Sequence, residues 1–112
     1  MDTVLHLTSD AEHHCGHALQ SARLLREHDE PVHDAVVLLA HRTGARLVTT
    51  DSPTASDLAD LVEDGVGIVV GRSCLDALGL PGETVPGVEV VSSGVSELVR
   101  LQFEGYDYVK IS

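Results

Sequence analysis

The stretch AVVLLA, from Ala35 to Ala40, carries the most information about the fold. It is apolar at every position, so it lacks the alternation of a strand that has one wet face. A strand covered on both faces has this pattern, and such strands are typical of parallel sheets. The stretch therefore predicts a strand inside a parallel sheet.

Strand patterns and helix patterns alternate outward from this stretch. Four more strands are predicted, over residues 3–8, 66–70, 88–91 and 106–111. Because parallel strands are joined by right-handed crossovers, the helices between them must cover both faces of the sheet. The sequence therefore predicts one domain over residues 1–112, an α/β three-layer sandwich with a mainly parallel sheet of about five strands.

The first helix is predicted to begin at Ser9. Ser9 with Glu12 three positions later has the form of a capping box, in which the two side chains satisfy free N–H groups of the first turn. Apolar residues then recur at the three- and four-residue spacing of one buried helix face. They are Cys15, Ala18, Leu19, Ala22 and Leu25.

Later helices have signals of the same kind. Ser52 and Pro53 are predicted to be an N-cap and a first helical residue, and Ser73 is the predicted cap of a short helix. Residues 41–50 fit a loop, a short helix or a strand. The apolar faces predicted for the helices after Pro53 and after Gly94 are Ala55, Leu58, Ala59 and Val62, and Val95, Leu98 and Val99.

The composition excludes several classes of partner. The chain has 18 acidic residues against 7 Lys and Arg, a formal charge of −11, and this charge repels nucleic acids and anionic membranes. With one Phe, two Tyr and no Trp, a platform for stacking bases is not expected. Lys110 is the single lysine, and such a surface resembles those of proteins from salt-loving organisms.

Two cysteines, Cys15 and Cys74, are too few for a disulfide framework. The N-terminus enters a strand pattern without a basic region and a long apolar run, so we expect a cytoplasmic protein that neither carries a signal peptide nor spans a membrane. Because Cys15 lies on the apolar helix face, packing is its expected role.

Ligands of parallel α/β folds bind beyond the carboxyl ends of the strands. Here these segments are residues 9–17, 41–44, 71–74 and 92–94. None of them is a glycine-rich phosphate loop of the Walker or dinucleotide type, so no nucleotide site is predicted.

The sequence resembles the DsrE/DsrF-like family of sulfur-relay proteins in four places. The most specific is GVSELVRLQFEGYDYVK, residues 94–110, which looks like the closing helix and strand of the family. Residues 4–10, 51–53 and 67–80 also fit. The resemblance covers nearly the whole chain, and it implies a flavodoxin-like sandwich and a role in carrying sulfur as a cysteine persulfide between donor and acceptor proteins.

The same resemblance aligns the family's usual cysteine with Gly71, so the candidate sulfur carrier is Cys74, three residues later. Cys74 is predicted to follow the cap Ser73, where free N–H groups and the helix dipole favour a thiolate, and Arg72 adds a positive charge. These three residues form the predicted catalytic site. The alternative is that Cys74 is a small buried apolar residue.

A histidine cluster offers a second functional hypothesis, a non-catalytic metal- or ligand-binding module. His13 and His17 have the i, i+4 spacing that lets two imidazoles face one ion, and His41 could supply a third ligand for zinc or nickel. Against this, histidines in the first exposed turn of a helix are usually solvated, and no carboxylate or cysteine completes a known signature. No other cofactor is expected.

A homo-oligomer is also expected. Family members commonly form trimers or hexamers, and the C-terminal segment has apolar residues of exposed-strand character at Tyr106, Tyr108 and Ile111.

Overall fold

The computed structural model describes residues 2–27, 35–80 and 83–112, and in these the five predicted strands form one sheet. All strand pairs are parallel, and the spatial order is β4-β3-β2-β1-β5. The prediction of an α/β fold with a parallel sheet of about five strands is confirmed. The strands are β1 (Asp2–Leu7), β2 (Ala35–Ala40), β3 (Gly67–Gly71), β4 (Glu89–Val91) and β5 (Asp107–Lys110).

Helices connect the strands along the described parts of the chain. The ambiguous segment after β2 is a 3-10 helix, Arg42–Val48. It lies close against β1, since a Cβ added at Gly44 would be 2.6 Å from the Leu7 carbonyl oxygen. The α-helices are α1 (Glu12–Glu27), α2 (Ala55–Glu63), α3 (Arg72–Ala77) and α4 (Gly94–Phe103).

The two faces of the sheet have separate apolar cores, because successive strand residues point to opposite sides. Leu5, Leu7 and Leu38 belong to a large buried cluster with residues of α1, α2, α3 and the 3-10 helix. On the other face Val4 and Leu39 pack with α4 in a smaller cluster. We call these the closed face and the open face.

The predicted start of α1 is wrong by three residues. The helix begins at Glu12, and Ser9 lies in the preceding loop. The Ser9 hydroxyl accepts the Ala11 N–H at 3.0 Å and lies 2.9 Å from His14 Nδ1. A serine that hydrogen-bonds its own neighbours two residues on stabilises a turn instead of capping a helix.

The starts of α2 and α3 also differ from the prediction. Ser52 and Pro53 lie in the turn before α2, where the Ser52 hydroxyl accepts the N–H of the N-cap residue Thr54 at 3.4 Å. Helix α3 begins at Arg72 and its N-cap is Gly71, so Ser73 lies inside the helix. Cys74 is therefore its third residue and not its first.

The predicted buried face agrees with the structure in α1 and only in part in α2 and α4. In α1 the predicted stripe is buried or packed against the core. In α2 Ala59 is exposed and Leu61 is buried, and in α4 Val95 and Val99 are 52% and 60% exposed while Leu101 is buried. Of the predicted α4 face, Leu98 packs against the open-face cluster, while Val95 and Val99 point outward, because apolar residues occur on both sides of this helix. No helix in the described ranges is long and apolar enough to cross a membrane.

Candidate functional site

Cys74 lies beside the end of β2, at the carboxyl edge of the sheet. Its side chain is partly buried and packs at the margin of the closed-face core. The backbone N–H of Arg42, the residue that opens the 3-10 helix, donates to Cys74 Sγ at 3.3 Å. An amide N–H is a donor that a sulfur acceptor can use. Two segments that are 32 residues apart thus form the immediate surroundings of the sulfur.

The backbone of Arg42 has an uncommon conformation at this contact. Its φ is 54°, in the left-handed region that residues with a Cβ rarely adopt. Such a conformation costs on the order of 1 kcal/mol, and residues in it are frequent at functional sites. The residue with the strained backbone, Arg42, is therefore the same one that donates its N–H to the Cys74 sulfur.

Position 71, where the family resemblance aligns a cysteine, has no room for a side chain. A Cβ built on Gly71 would lie 2.6 Å from the backbone nitrogen of Gly94, and Gly94 itself is the buried first residue of α4. The three atoms nearest to this Cβ, in Ser93 and Gly94, all belong to backbone, so none can move aside cheaply. This chain therefore cannot carry the thiol at residue 71 without shifting the start of α4.

Arg72 and Ser73, the predicted partners of the thiol, are both exposed. The Ser73 N–H lies 3.4 Å from the Ser92 carbonyl oxygen, so its nearest acceptor is that oxygen. The amide that contacts the sulfur comes from Arg42. Sequence reasoning missed Arg42 because its role depends on the packing of the 3-10 helix beside α3, and no local pattern shows this.

The second thiol is in a different environment. Cys15 is 9% exposed on the inner face of α1, as the apolar spacing predicted. Its thiol donates to the Ser9 carbonyl oxygen, which lies 3.7 Å from Sγ. Burial raises the pKa of the Cys15 thiol, and the carboxylate of Asp10 raises it further. Both effects oppose formation of a thiolate.

Three side chains on the open face form a hydrogen-bonded chain that the sequence did not reveal. His6 Nδ1 lies 2.8 Å from the Tyr108 hydroxyl oxygen, and His6 Nε2 lies 3.2 Å from His41 Nδ1. Burial lowers the pKa of His6, and His41 and Lys110 lower it further. Burial also lowers the pKa of His41. The sequence contains one signal of this chain, because His6 is a histidine within the otherwise apolar, buried part of β1.

The three predicted metal ligands are not grouped in this way. His13 and His17 are exposed on α1, and the ring of His13 lies 4.0 Å from that of His14, centroid to centroid. His41 follows β2 and contacts His6. Over the residues that the structure describes, no group of three or more His, Cys, Asp or Glu is arranged to hold a metal ion. Zinc or nickel binding stays a prediction.

The fold and the site define a parallel α/β protein with a partly buried thiol beyond its central strands. The chain belongs to the DsrE/DsrF-like family, whose model matches residues 3–111. The resemblance seen in the sequence is thus confirmed. No curated protein matches the chain significantly.

Solved structures with the same fold cover almost the whole chain. A protein of unknown function from Methanobacterium thermoautotrophicum, MTH1491, is 30% identical, with a TM-score of 0.90 and 97% of each chain covered. The ychN protein from E. coli is 18% identical, with a TM-score of 0.71 over 98% of this chain and 99% of its own. A Bacteroides thetaiotaomicron protein of unknown function, BT1422, is 15% identical, with a TM-score of 0.68 and coverages of 97% and 93%.

Proposed function

We propose that this protein is a cytoplasmic sulfur-relay protein in which Cys74 carries sulfane sulfur as a persulfide between a donor protein and an acceptor protein. The observation that carries the proposal is the hydrogen bond from the Arg42 N–H to Cys74 Sγ, which joins the 3-10 helix to α3 at the carboxyl edge of the sheet in a protein of the DsrE/DsrF-like family. Ligands of parallel α/β proteins bind at this edge.

The chemistry requires a thiolate, because the thiol is a poor nucleophile. In the uptake step the Cys74 thiolate attacks the outer sulfur of a donor persulfide. A new S–S bond forms, the donor's S–S bond breaks, and its electron pair leaves on the donor thiolate. The Arg42 amide stabilises the negative sulfur before this step and again when an acceptor later removes the outer sulfur.

In this proposal Arg72 and Ser73 assist the incoming donor, while the hydrogen bond to the sulfur comes from Arg42. Both side chains are exposed beside the thiol, where the Arg72 guanidinium attracts an anionic donor and the Ser73 hydroxyl offers it a hydrogen bond. Their loss should slow uptake without abolishing it, whereas loss of Cys74 should abolish it.

Peptide mass spectrometry tests the proposal directly. The protein is incubated with a persulfide donor, and peptides are examined for the mass of one added sulfur atom. We expect the adduct on the Cys74 peptide of the wild type and of Cys15→Ser, and its loss in Cys74→Ser. A wild-type protein that gains no sulfur, or that gains it only on Cys15, contradicts the relay.

We further propose that the protein acts as a homo-oligomer, a trimer or hexamer. Helix α4 exposes a continuous apolar stripe at four-residue spacing, and the most exposed member, Phe103, is 93% accessible. A second copy of the chain would bury this stripe. Light scattering in high salt, which screens the charge of −11, should give a multiple of the 11.9 kDa chain mass, and Phe103→Glu should lower it. A wild-type monomer mass would contradict the oligomer.

A further inference from the structure

The Tyr108–His6–His41 chain crosses three neighbouring strands. Tyr108 lies on β5 and His6 on β1, while His41 follows the last residue of β2. His6 is 8% exposed and uses both ring nitrogens within the chain. Apart from these two contacts, the Tyr108 hydroxyl and His41 Nε2, which are the two ends, have no hydrogen-bond partner among the described residues. The chain therefore connects two free polar ends through a buried imidazole.

Counting protons shows how the two ends depend on each other. Each neutral imidazole has one N–H, so both hydrogen bonds of the neutral chain must run in the same direction. In one arrangement Tyr108 donates to His6 and His6 to His41, which leaves an N–H at His41 Nε2. In the other arrangement His41 donates to His6 and His6 to Tyr108, which leaves a free lone pair at His41 Nε2. A proton accepted at one end is thus matched by a proton released at the other.

The surroundings keep the chain neutral at pH 7. Burial is the main cause of the lowered pKa of each histidine. The charged groups that act on them are cations, Lys110 beside His6 in the strand register and Arg42 beside His41. Because cations oppose protonation of a histidine, His41 is available as a base in neutral solution.

The His41 end of the chain lies at the same strand end as the Cys74 thiol. The residue after His41 donates its N–H to Cys74 Sγ. On its other side the His41 ring packs on Gly94, where an added Cβ would be 3.3 Å from His41 Cδ2. Ring atom Cδ2 is bonded to Nε2, so the free nitrogen lies near the start of α4, where Gly94 closely approaches Gly71 at the end of β3. Cys74 packs against the closed-face core and His41 contacts His6 on the open face, so the two groups lie on opposite sides of the end of β2.

We propose that His41 is the acid–base group of this site, and that His6 and Tyr108 are positioning residues that form a proton relay with it. This inference rests on the proposed function, since it identifies the residue that takes the proton of the acceptor thiol. The relay takes that proton as the thiol arrives, and the resulting thiolate attacks the persulfide on Cys74.

In the transfer step the acceptor thiol gives its proton to His41 Nε2. The acceptor thiolate attacks the outer sulfur, an S–S bond forms to the acceptor, and the old S–S bond breaks with its electron pair on Cys74 Sγ. The proton on His41 Nδ1 passes to His6 Nε2, that on His6 Nδ1 passes to the Tyr108 oxygen, and the original Tyr108 hydroxyl proton goes to water. One proton enters the chain and one leaves it.

The test uses a reaction of the same type that does not depend on persulfide chemistry. In a Cys15→Ala background, Cys74 is converted to a mixed disulfide with thionitrobenzoate. Mercaptoethanol is added and release of the coloured thiolate is followed across a range of pH, in buffer with a chelator so that no metal takes part. Wild type is compared with His41→Gln and Tyr108→Phe, and His17→Gln serves as a matched histidine control on α1. Circular dichroism checks that each variant is folded.

At neutral pH we expect His41→Gln to slow release by on the order of a hundredfold, the usual contribution of a general base. Tyr108→Phe should slow it less, and His17→Gln should not change it. Above the pKa of mercaptoethanol the attacking thiol is already ionised, so all the rates should converge. Equal rates for His41→Gln and its parent at neutral pH, or a deficit that persists unchanged at high pH, would overturn the relay. Failure of persulfide loading would contradict the sulfur-relay role and leave this test valid.

Discussion

The closed and open faces of the sheet differ in how completely helices cover them. The closed face lies under three α-helices and the 3-10 helix, and its core is aliphatic, with Leu7 and Leu38 fully buried. The open face has the smaller cluster under α4, and beside that cluster lies the Tyr108–His6–His41 chain. Partly buried polar groups are tolerated where water can form the hydrogen bonds that the protein does not supply. The open face, which fewer helices cover, meets this condition.

The two thiols show the same contrast. Cys15 is buried under α1 on the closed face, and its pKa is raised by that burial. Cys74 lies at the margin of the same core, where the amide of Arg42, the first residue of the 3-10 helix, contacts its sulfur. The fully covered thiol thus belongs to the core, whereas the thiol that we propose to react lies where the cover ends.

The largest effect expected from this comparison is on the free energy of unfolding after truncation of core leucines. Leu38→Ala on the closed face should cost about 4 kcal/mol, because the packed helices cannot collapse into the cavity. Leu101→Ala on the open face should cost about 2 kcal/mol, since fewer atoms surround it. Urea denaturation measures both. Equal losses would mean that the two faces contribute alike.

An intermediate effect is expected where α4 meets β3. Gly71→Ala should reduce the free energy of unfolding by about 1–3 kcal/mol, because its Cβ meets the Gly94 backbone at 2.6 Å. Gly16→Ala is the matched control, since a Cβ there meets nothing within 4 Å and should stabilise α1 by about 0.5–1 kcal/mol. Chemical denaturation of both variants decides the point, and a Gly71→Ala protein as stable as wild type would show that α4 can shift freely.

The smallest effect concerns pH and the open-face histidines. The folded pKa of His6 lies below its ordinary value of 6.5, so the unfolded chain binds a proton more readily than the folded protein. His6 therefore costs no stability above pH 6.5, and stability falls as the pH drops from 6.5 through the lower folded pKa. Replacement of His6 by Asn should flatten this part of the stability profile. Urea midpoints measured from about pH 8 to about pH 5 test it, with His17→Gln as the control. A wild-type profile without a decline there would contradict the shift.

The sequence alone determined the order of the elements and the nature of the sheet. The run Ala35–Ala40 predicted a buried parallel strand, and the spacing of the apolar residues in α1 predicted its inward face. Both patterns reflect how neighbouring residues share a strand or helix face, so they can be read over a short window. The resemblance of residues 94–110 to the DsrE/DsrF-like family added the family.

Only the tertiary structure decided which groups meet. Ser9 and Ser52 stabilise turns before their helices instead of capping them, and Val95 and Val99 face outward because α4 packs through Leu101. The contact of the Arg42 amide with Cys74 joins residues 32 apart, and that of His6 with Tyr108 joins residues 102 apart. Such contacts depend on strand order and register, which bring distant segments together at one edge of the sheet, and periodicity within a segment contains no information about them.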